Sequence, residues 1–202
     1  MFVRLILITA LLAIPSPASA ETAKQTPDSM ALCPQIGTPA PAFSAITWDG
    51  IALTLDDITG PGGAVLVFSR SLDWCPYCQA QAIDLTSVAE TLDTQGWPLS
   101  LISYDPPETL ARFGDHNSVN YTLLSDSHSA MIDAFGLRNK DVPEGSRFDG
   151  IPHPAIIFIG SDGLIKGVQK EQDYKDRPPT EAIPQLVTLL NAQRPTTISE
   201  PN

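Results

Sequence analysis

Two cysteines separated by two residues, Cys75 and Cys78, stand inside Trp74-Cys75-Pro76-Tyr77-Cys78. A pair at this spacing can cycle between dithiol and disulfide, but the same tetrapeptide also fits three other roles. Haem attachment requires His after the second cysteine, where this chain has Gln79. A zinc site needs two further ligands, and the chain holds only three His and one more cysteine, Cys33, with no second Cys-x-x-Cys and no His-x₃₋₅-His. A purely structural bridge over two intervening residues would close so short a loop that it constrains the unfolded chain little. Redox chemistry is the reading that survives, provided a helix begins at the pair.

The elements around the pair meet that condition. Residues 64–68, Ala-Val-Leu-Val-Phe, form a continuous apolar, β-branched run between turn signals, the pattern of a strand covered on both faces. From Cys75 onward the period becomes helical, with Leu85, Val88, Ala89 and Leu92 at i, i+3, i+4 and i+7, and Gly96 and Pro98 stop the run. Cys75 therefore sits at a helix entrance, where unpaired N–H groups and the helix dipole favour negative charge. A thiol so placed drops from a pKa of about 8.5 into the range of roughly 3.5 to 7.5, and the thiolate is the nucleophile. Cys78 lies one turn along on the same face, within reach for a disulfide. Attack by Cys75 on a substrate would give a mixed disulfide or a sulfenic acid, which Cys78 would resolve. Pro76 pre-sets φ at the first helical position, where a missing N–H costs little.

The rest of the chain reads as alternating strands and helices, an α/β architecture whose central sheet is expected to be mostly parallel and flanked by helices. Residues 45–48 and 51–55 flank Asp49-Gly50, a hairpin signal at the N-terminal side. Strands are predicted at 99–104, 121–124, 155–159 and 164–168, the last two joined by Ser161-Asp162-Gly163 as an antiparallel pair. Helices are predicted at 107–113, at 131–135 with Asp126 or Ser127 as its cap and Gly136 as its stop, and after Thr180. That last helix carries Ile183, Leu186, Val187 and Leu190, with Pro184 tolerable close to the first turn. The domain organisation expected is a signal peptide over 1–20, a flexible lead-in over 21–41, one folded domain over 42–193 and a tail over 194–202.

Arg4, the apolar run over 5–14 and Ala18-Ser19-Ala20 form the n-region, h-region and cleavage site of an export signal, with cleavage expected near Ala20. The run is about half of what a spanning helix needs, so a soluble periplasmic or secreted protein with no membrane insertion is expected. Lys and Arg number 12 against 23 Asp and Glu, a formal charge of −11. Losing the first 20 residues, which carry Arg4 and no acid, makes it −12. Such a chain lacks the clustered cations that nucleic acid or anionic lipid would require.

With these residues in view, the chain resembles the thioredoxin-like superfamily, in particular redoxins of the alkyl hydroperoxide reductase and thiol-specific antioxidant type. The resemblance spans about 35–168. It rests on Gly37-Thr38-Pro39-Ala40-Pro41-Ala42-Phe43, on Val65-Leu66-Val67-Phe68 with the dithiol and Gln79-Ala80-Gln81, and on Gly150-Ile151-Pro152-His153-Pro154-Ala155 before Asp162-Gly163. It implies a thioredoxin-like fold, a peroxide or protein-disulfide substrate, a thioredoxin-like reductant as partner, and no bound cofactor or metal. It also implies a cis-proline beside the dithiol, at Pro154. His153 would then lie near the sulfurs, where a protonated imidazole would favour the thiolate; it is equally readable as a loop residue. Trp74 and Tyr77 would line the substrate groove.

One feature of typical peroxiredoxins is missing: the Pro-x-x-x-Thr/Ser-x-x-Cys motif. Counting back from Cys75 gives Leu72 and Phe68, and from Cys78 gives Cys75 and Ser71. Arg70, Arg138 and Arg147 are the candidates for the peroxide-holding arginine. Peroxide and protein disulfide both stay open as substrates. The rival readings are a Cu(I)-binding protein using both thiolates and His153, and a non-catalytic relative that docks a partner. Asp73 would oppose a nearby thiolate, or relay protons. Residues 138–153 form a long loop placed to reach the dithiol face, and Cys33 is a spare thiol, a second resolving cysteine or a dimer link.

Overall fold

The computed structural model of the protein describes residues 34–171, 173 and 175–194; the segment expected to be an export signal, Cys33 and residues 195–202 lie outside them. Seven strands follow one another as β1 (Ser44–Thr47), β2 (Ala52–Thr54), β3 (Gly63–Phe68), β4 (Leu99–Ser103), β5 (Thr122–Ser125), β6 (Ala155–Gly160) and β7 (Ile165–Gln169). They form one mixed sheet in the order β2-β1-β5-β4-β3-β6-β7. β3 pairs in parallel with β4 and antiparallel with β6, and β4 is parallel to β5. Every residue of β3 is buried, as its unbroken apolar run requires of a strand covered on both faces. The hairpin expected around Asp49-Gly50 is β1–β2, and β1 also joins the sheet by pairing antiparallel with β5.

Among the described residues four α-helices cover the sheet: α1 (Pro76–Thr94), α2 (Pro107–Asn117), α3 (Ala130–Ala134) and α4 (Ala182–Ala192). Because side chains alternate along a strand, β3 feeds two cores. Val65 and Val67 pack with Leu85, Val88 and Leu92 of α1 and Ile183 and Val187 of α4, whereas Leu66 and Phe68 pack with Ile132 of α3, Phe135 and Leu137. Burying each such side chain contributes about 1.5–3 kcal/mol, so the helical spacing read from 85–92 is also what fastens α1 to the sheet. Past α1, Trp97 is buried against Gly62 and Gly63, where any Cβ would run into the indole. Its Nε1 donates to Asn191 Oδ1 of α4 at 2.8 Å, and Gln95 Nε2 donates to Thr188 Oγ1 at 2.9 Å.

Three expectations change. Residues 37–40 are not a flexible lead-in: Gly37 N–H donates to Ile165 O, Ile165 N–H to Thr38 O and Ala40 N–H to Gly163 O, tying the segment to the start of β7. This attachment uses only backbone groups, so no side-chain period announces it. α2 runs four residues beyond 113, through Gly114 packed close to Leu123, and stops where Ser118 turns left-handed at φ 52°. Thr180 does not cap α4 with its side chain; the helix instead grows out of a turn in which Ala182 N–H donates to Pro179 O and Ile183 N–H to Thr180 O.

Candidate active site

Cys75 is the N-cap residue of α1, with extended backbone (φ −98°, ψ 100°), and Pro76 occupies the first helical position. The Cys75 carbonyl accepts the N–H groups of Cys78 and Gln79, both at 3.0 Å, which starts the helix. Cys75 and Cys78 are joined in a disulfide with their Cα atoms 5.2 Å apart. Both sulfur-bearing residues are nearly enclosed, Cys75 at 2% and Cys78 at 0% exposure, while the intervening Tyr77 projects outward at 44%. The pair thus lies where sequence spacing puts it, and with the bridge closed the first turn of α1 is formed.

The loop that delivers Cys75 is held by a buried carboxylate which sequence reasoning missed. Ser71 Oγ donates to Asp105 Oδ1 at 2.7 Å, and Leu72 N–H and Ser103 Oγ donate to Oδ2 at 2.6 and 2.9 Å. Burial pushes the Asp105 carboxyl above its ordinary pKa, against the pull of these donors. Gln79 closes the loop from the helix side, its Nε2 donating to the carbonyls of Leu72 and Asp73. Asp73 itself faces away to Arg112, 3.5 Å distant and largely in solvent.

Trp74 is half-buried, and its Nε1 donates to Tyr104 Oη at 3.0 Å. Phe148, from the loop over 138–153, stacks on Trp74 with ring centroids 4.7 Å apart, so that loop does reach the dithiol face. With Asp73, Pro106 and Arg147 these rings line a cleft of about 450 Å³.

The arginines sort themselves by contact. Arg138 is committed to Asp133 and Asp149 at 2.6 and 2.7 Å, which fixes the long loop to α3. Arg147 lies over Phe148, and Arg70 over Trp74 at 5.3 Å from the ring centroid. The cation on the dithiol is a fourth one, Arg177, whose Nη2 lies 3.5 Å from Cys78 Sγ. It had no signal in the sequence, since 99 residues separate the two.

Pro154 does not form a cis bond: the described residues contain no cis peptide. β6 begins only at Ala155, which pairs with Phe68, so Pro154 withholds no donor from the ladder. The preceding His153 N–H is already anchored on Leu137 O at 2.7 Å, and the trans bond is the intrinsically favoured one. Nor does the setting of His153 favour its protonated form. Its half-buried ring, facing Lys170 and Arg70, titrates below the ordinary histidine value, and Asp141 only partly opposes this. Among the described residues no group of three His, Cys, Asp or Glu is placed to share a metal ion.

Comparison with known proteins accords with this geometry. Residues 36–168 match the model of the AhpC/TSA family. The chain is 35% identical over 132 residues to Peroxiredoxin Bcp of Escherichia coli K12, covering 65% of this chain and 83% of that one. It is 30% identical over 141 residues to a putative peroxiredoxin of Haemophilus influenzae, covering 70% and 89%. Among solved structures, peroxidoxin BcpB of Mycobacterium tuberculosis superposes with a TM-score of 0.66 at 20% identity, over 80% of this chain and 99% of that chain. A thiol peroxidase from Chromobacterium violaceum does so with 0.65 at 20%, over 80% and 90%. The structures speak for the thioredoxin-like fold alone; with the family match spanning well over half of its length, the chain belongs to the AhpC/TSA family.

Proposed function

We propose that this protein is an exported thiol-dependent peroxidase in which Cys75 is the nucleophile and Cys78 the resolving thiol. The observation that carries the reading is a cysteine at the N-cap of α1 already bonded to a second cysteine one turn on. The peroxiredoxin names of the relatives favour peroxide over protein disulfide as substrate. Arg177 places positive charge on Cys78, with Arg70 over the neighbouring Trp74, in an otherwise acidic molecule, which favours thiolate.

In the reduced protein the Cys75 thiolate attacks the terminal oxygen of a hydroperoxide. The O–O bond breaks, the departing alkoxide takes a proton to leave as alcohol, and Cys75 becomes a sulfenic acid. Cys78 thiolate then attacks the Cys75 sulfur and expels hydroxide, which leaves as water after protonation. The resulting disulfide is returned to dithiol by two electrons from an external, thioredoxin-like dithiol. Pro76 fixes the entry of the helix, Trp74 and Phe148 form one wall of the approach, and exposed Tyr77 offers a contact for the docking reductant.

Hydrogen peroxide consumption by the purified mature chain, with a dithiol reductant, tests this. Cys75→Ser is expected to abolish turnover, and Cys78→Ser to stop after one turnover with a trappable sulfenic acid at Cys75. Full turnover by Cys75→Ser would overturn the mechanism, and activity only on a protein disulfide would reassign the substrate. Export is checked by the mature N-terminus, expected at Glu21 in material recovered outside the cytosol.

A further inference from the structure

The segment leading into α4 lays Arg177 across the first turns of α1. Among the described residues its guanidinium is held by Gln81, to whose Oε1 Nε donates at 2.9 Å, by the Asp176 carbonyl, to which Nη1 donates at 2.7 Å, and by Cys78, whose Sγ Nη2 approaches at 3.5 Å. Gln81 follows Cys78 by one helical turn and is itself buried, so the fork is oriented from the same face of α1 that carries the sulfur. Arg177 is half-buried, and burial together with Arg70 lowers its pKa; even so, a guanidinium stays protonated in any folded protein. Cys78 is thus fully enclosed with a fixed cation on its sulfur, and Cys75 is the member of the bridge left with any exposure.

We propose that Arg177 is a positioning residue for the regeneration half of the cycle, holding Cys78 sulfur as the leaving thiolate when the Cys75–Cys78 bridge is reduced. An external dithiol attacks Cys75 Sγ through one thiolate. The Cys75–Cys78 bond breaks, its electron pair passes to Cys78 Sγ beside the guanidinium, and a mixed disulfide forms at Cys75. The second thiolate of the reductant then attacks its own sulfur in that mixed disulfide and releases Cys75 as thiolate. The reductant is oxidised by two electrons to its disulfide, and the protons its thiols give up are available to the two cysteine sulfurs. A lower-pKa sulfur leaves faster, so charge stabilisation at Cys78 speeds reduction and also shifts the equilibrium toward the dithiol. The same contact keeps Cys78 ionised for its attack on oxidised Cys75.

The inference rests on the reading that this dithiol cycles, but its test uses no peroxide, so the two fail separately. The mature protein is equilibrated in glutathione buffers of defined ratio, with thiols counted by alkylation and mass, and the rate of reduction by dithiothreitol is followed in parallel. Arg177→Met is expected to favour the disulfide about tenfold, equivalent to about 30 mV for this two-electron couple, and to slow reduction by a similar factor. Arg177→Lys, which keeps the charge, is expected to stay within about threefold of wild type. Should Arg177→Met not fold, Arg177→Gln serves in its place with the same expected shift. Equal equilibria and rates in wild type and the neutral variant would overturn the proposal. So would identical shifts in the neutral and lysine variants, since packing alone would then account for them.

Discussion

Asp105 touches neither sulfur, yet three donors from the cysteine loop and β4 converge on its carboxylate. Asp105→Ala would leave these buried donors unpaired and is expected to cost about 3 kcal/mol in the denaturant-derived stability, with slower peroxide turnover as the loop loosens. His153 gives a pH signature. Its folded-state pKa lies below the ordinary value of about 6.5, so the stability it contributes is complete above that value and is lost as pH falls through the folded pKa. His153→Asn is therefore expected to lose less stability than wild type between pH 7.5 and 5, read as the change in guanidinium midpoint. Cys75, Pro76 and Cys78 were legible from spacing because their relation is local, one turn of one helix. Asp105 and Arg177 were not, because the partners that tie them to the site, Leu72 and Ser71 for Asp105 and Cys78 for Arg177, lie 33, 34 and 99 residues away and meet them only through tertiary packing.

Helix α3 is five residues long and too short to persist alone. Asp126, from four residues upstream, steadies it: Oδ2 accepts Ile132 N–H at 2.8 Å, and the carboxylate also receives the amides of Met131 and Ala130. Neither residue read from the sequence as the cap is the N-cap, which is Ser129, but Asp126 meets the first-turn amides from upstream. Asp126→Ala is expected to lower stability by about 1–2 kcal/mol, seen as a lower thermal midpoint and faster hydrogen exchange over 130–135. The strands and α1 were legible because apolar period dictates burial, and all four residues at the helical spacing, Leu85, Val88, Ala89 and Leu92, are buried. The far end of α2 was not, because Gly114 and the polar residues 115–117 carry no period and are kept helical by packing on Leu123. Pro154 misled for a related reason: a motif identifies the residue, while its peptide isomer is set by neighbours such as Leu137.

Across the whole molecule, alternation of strands and helices predicted a mostly parallel sheet, but only β3–β4 and β4–β5 are parallel, and alternation did not predict that β1 would pair antiparallel with β5, nearly eighty residues away. Such pairings depend on which edge is left open once the parallel strands are placed. The bridge itself is a small constraint at this scale. Closing so few residues removes about 2 kcal/mol of unfolded-chain entropy, so oxidised and reduced protein are expected to melt within about 8 °C of one another by calorimetry. Cys75 and Cys78 meet across a single helical turn whose opening hydrogen bonds from Cys78 and Gln79 are already made while the bridge is closed. In the proposed cycle the molecule would store and give up two electrons as a capacitor does charge, on a helical turn already formed in the bridged state, and a partner sensing its state would read the sulfurs themselves or the Arg177 segment laid over them.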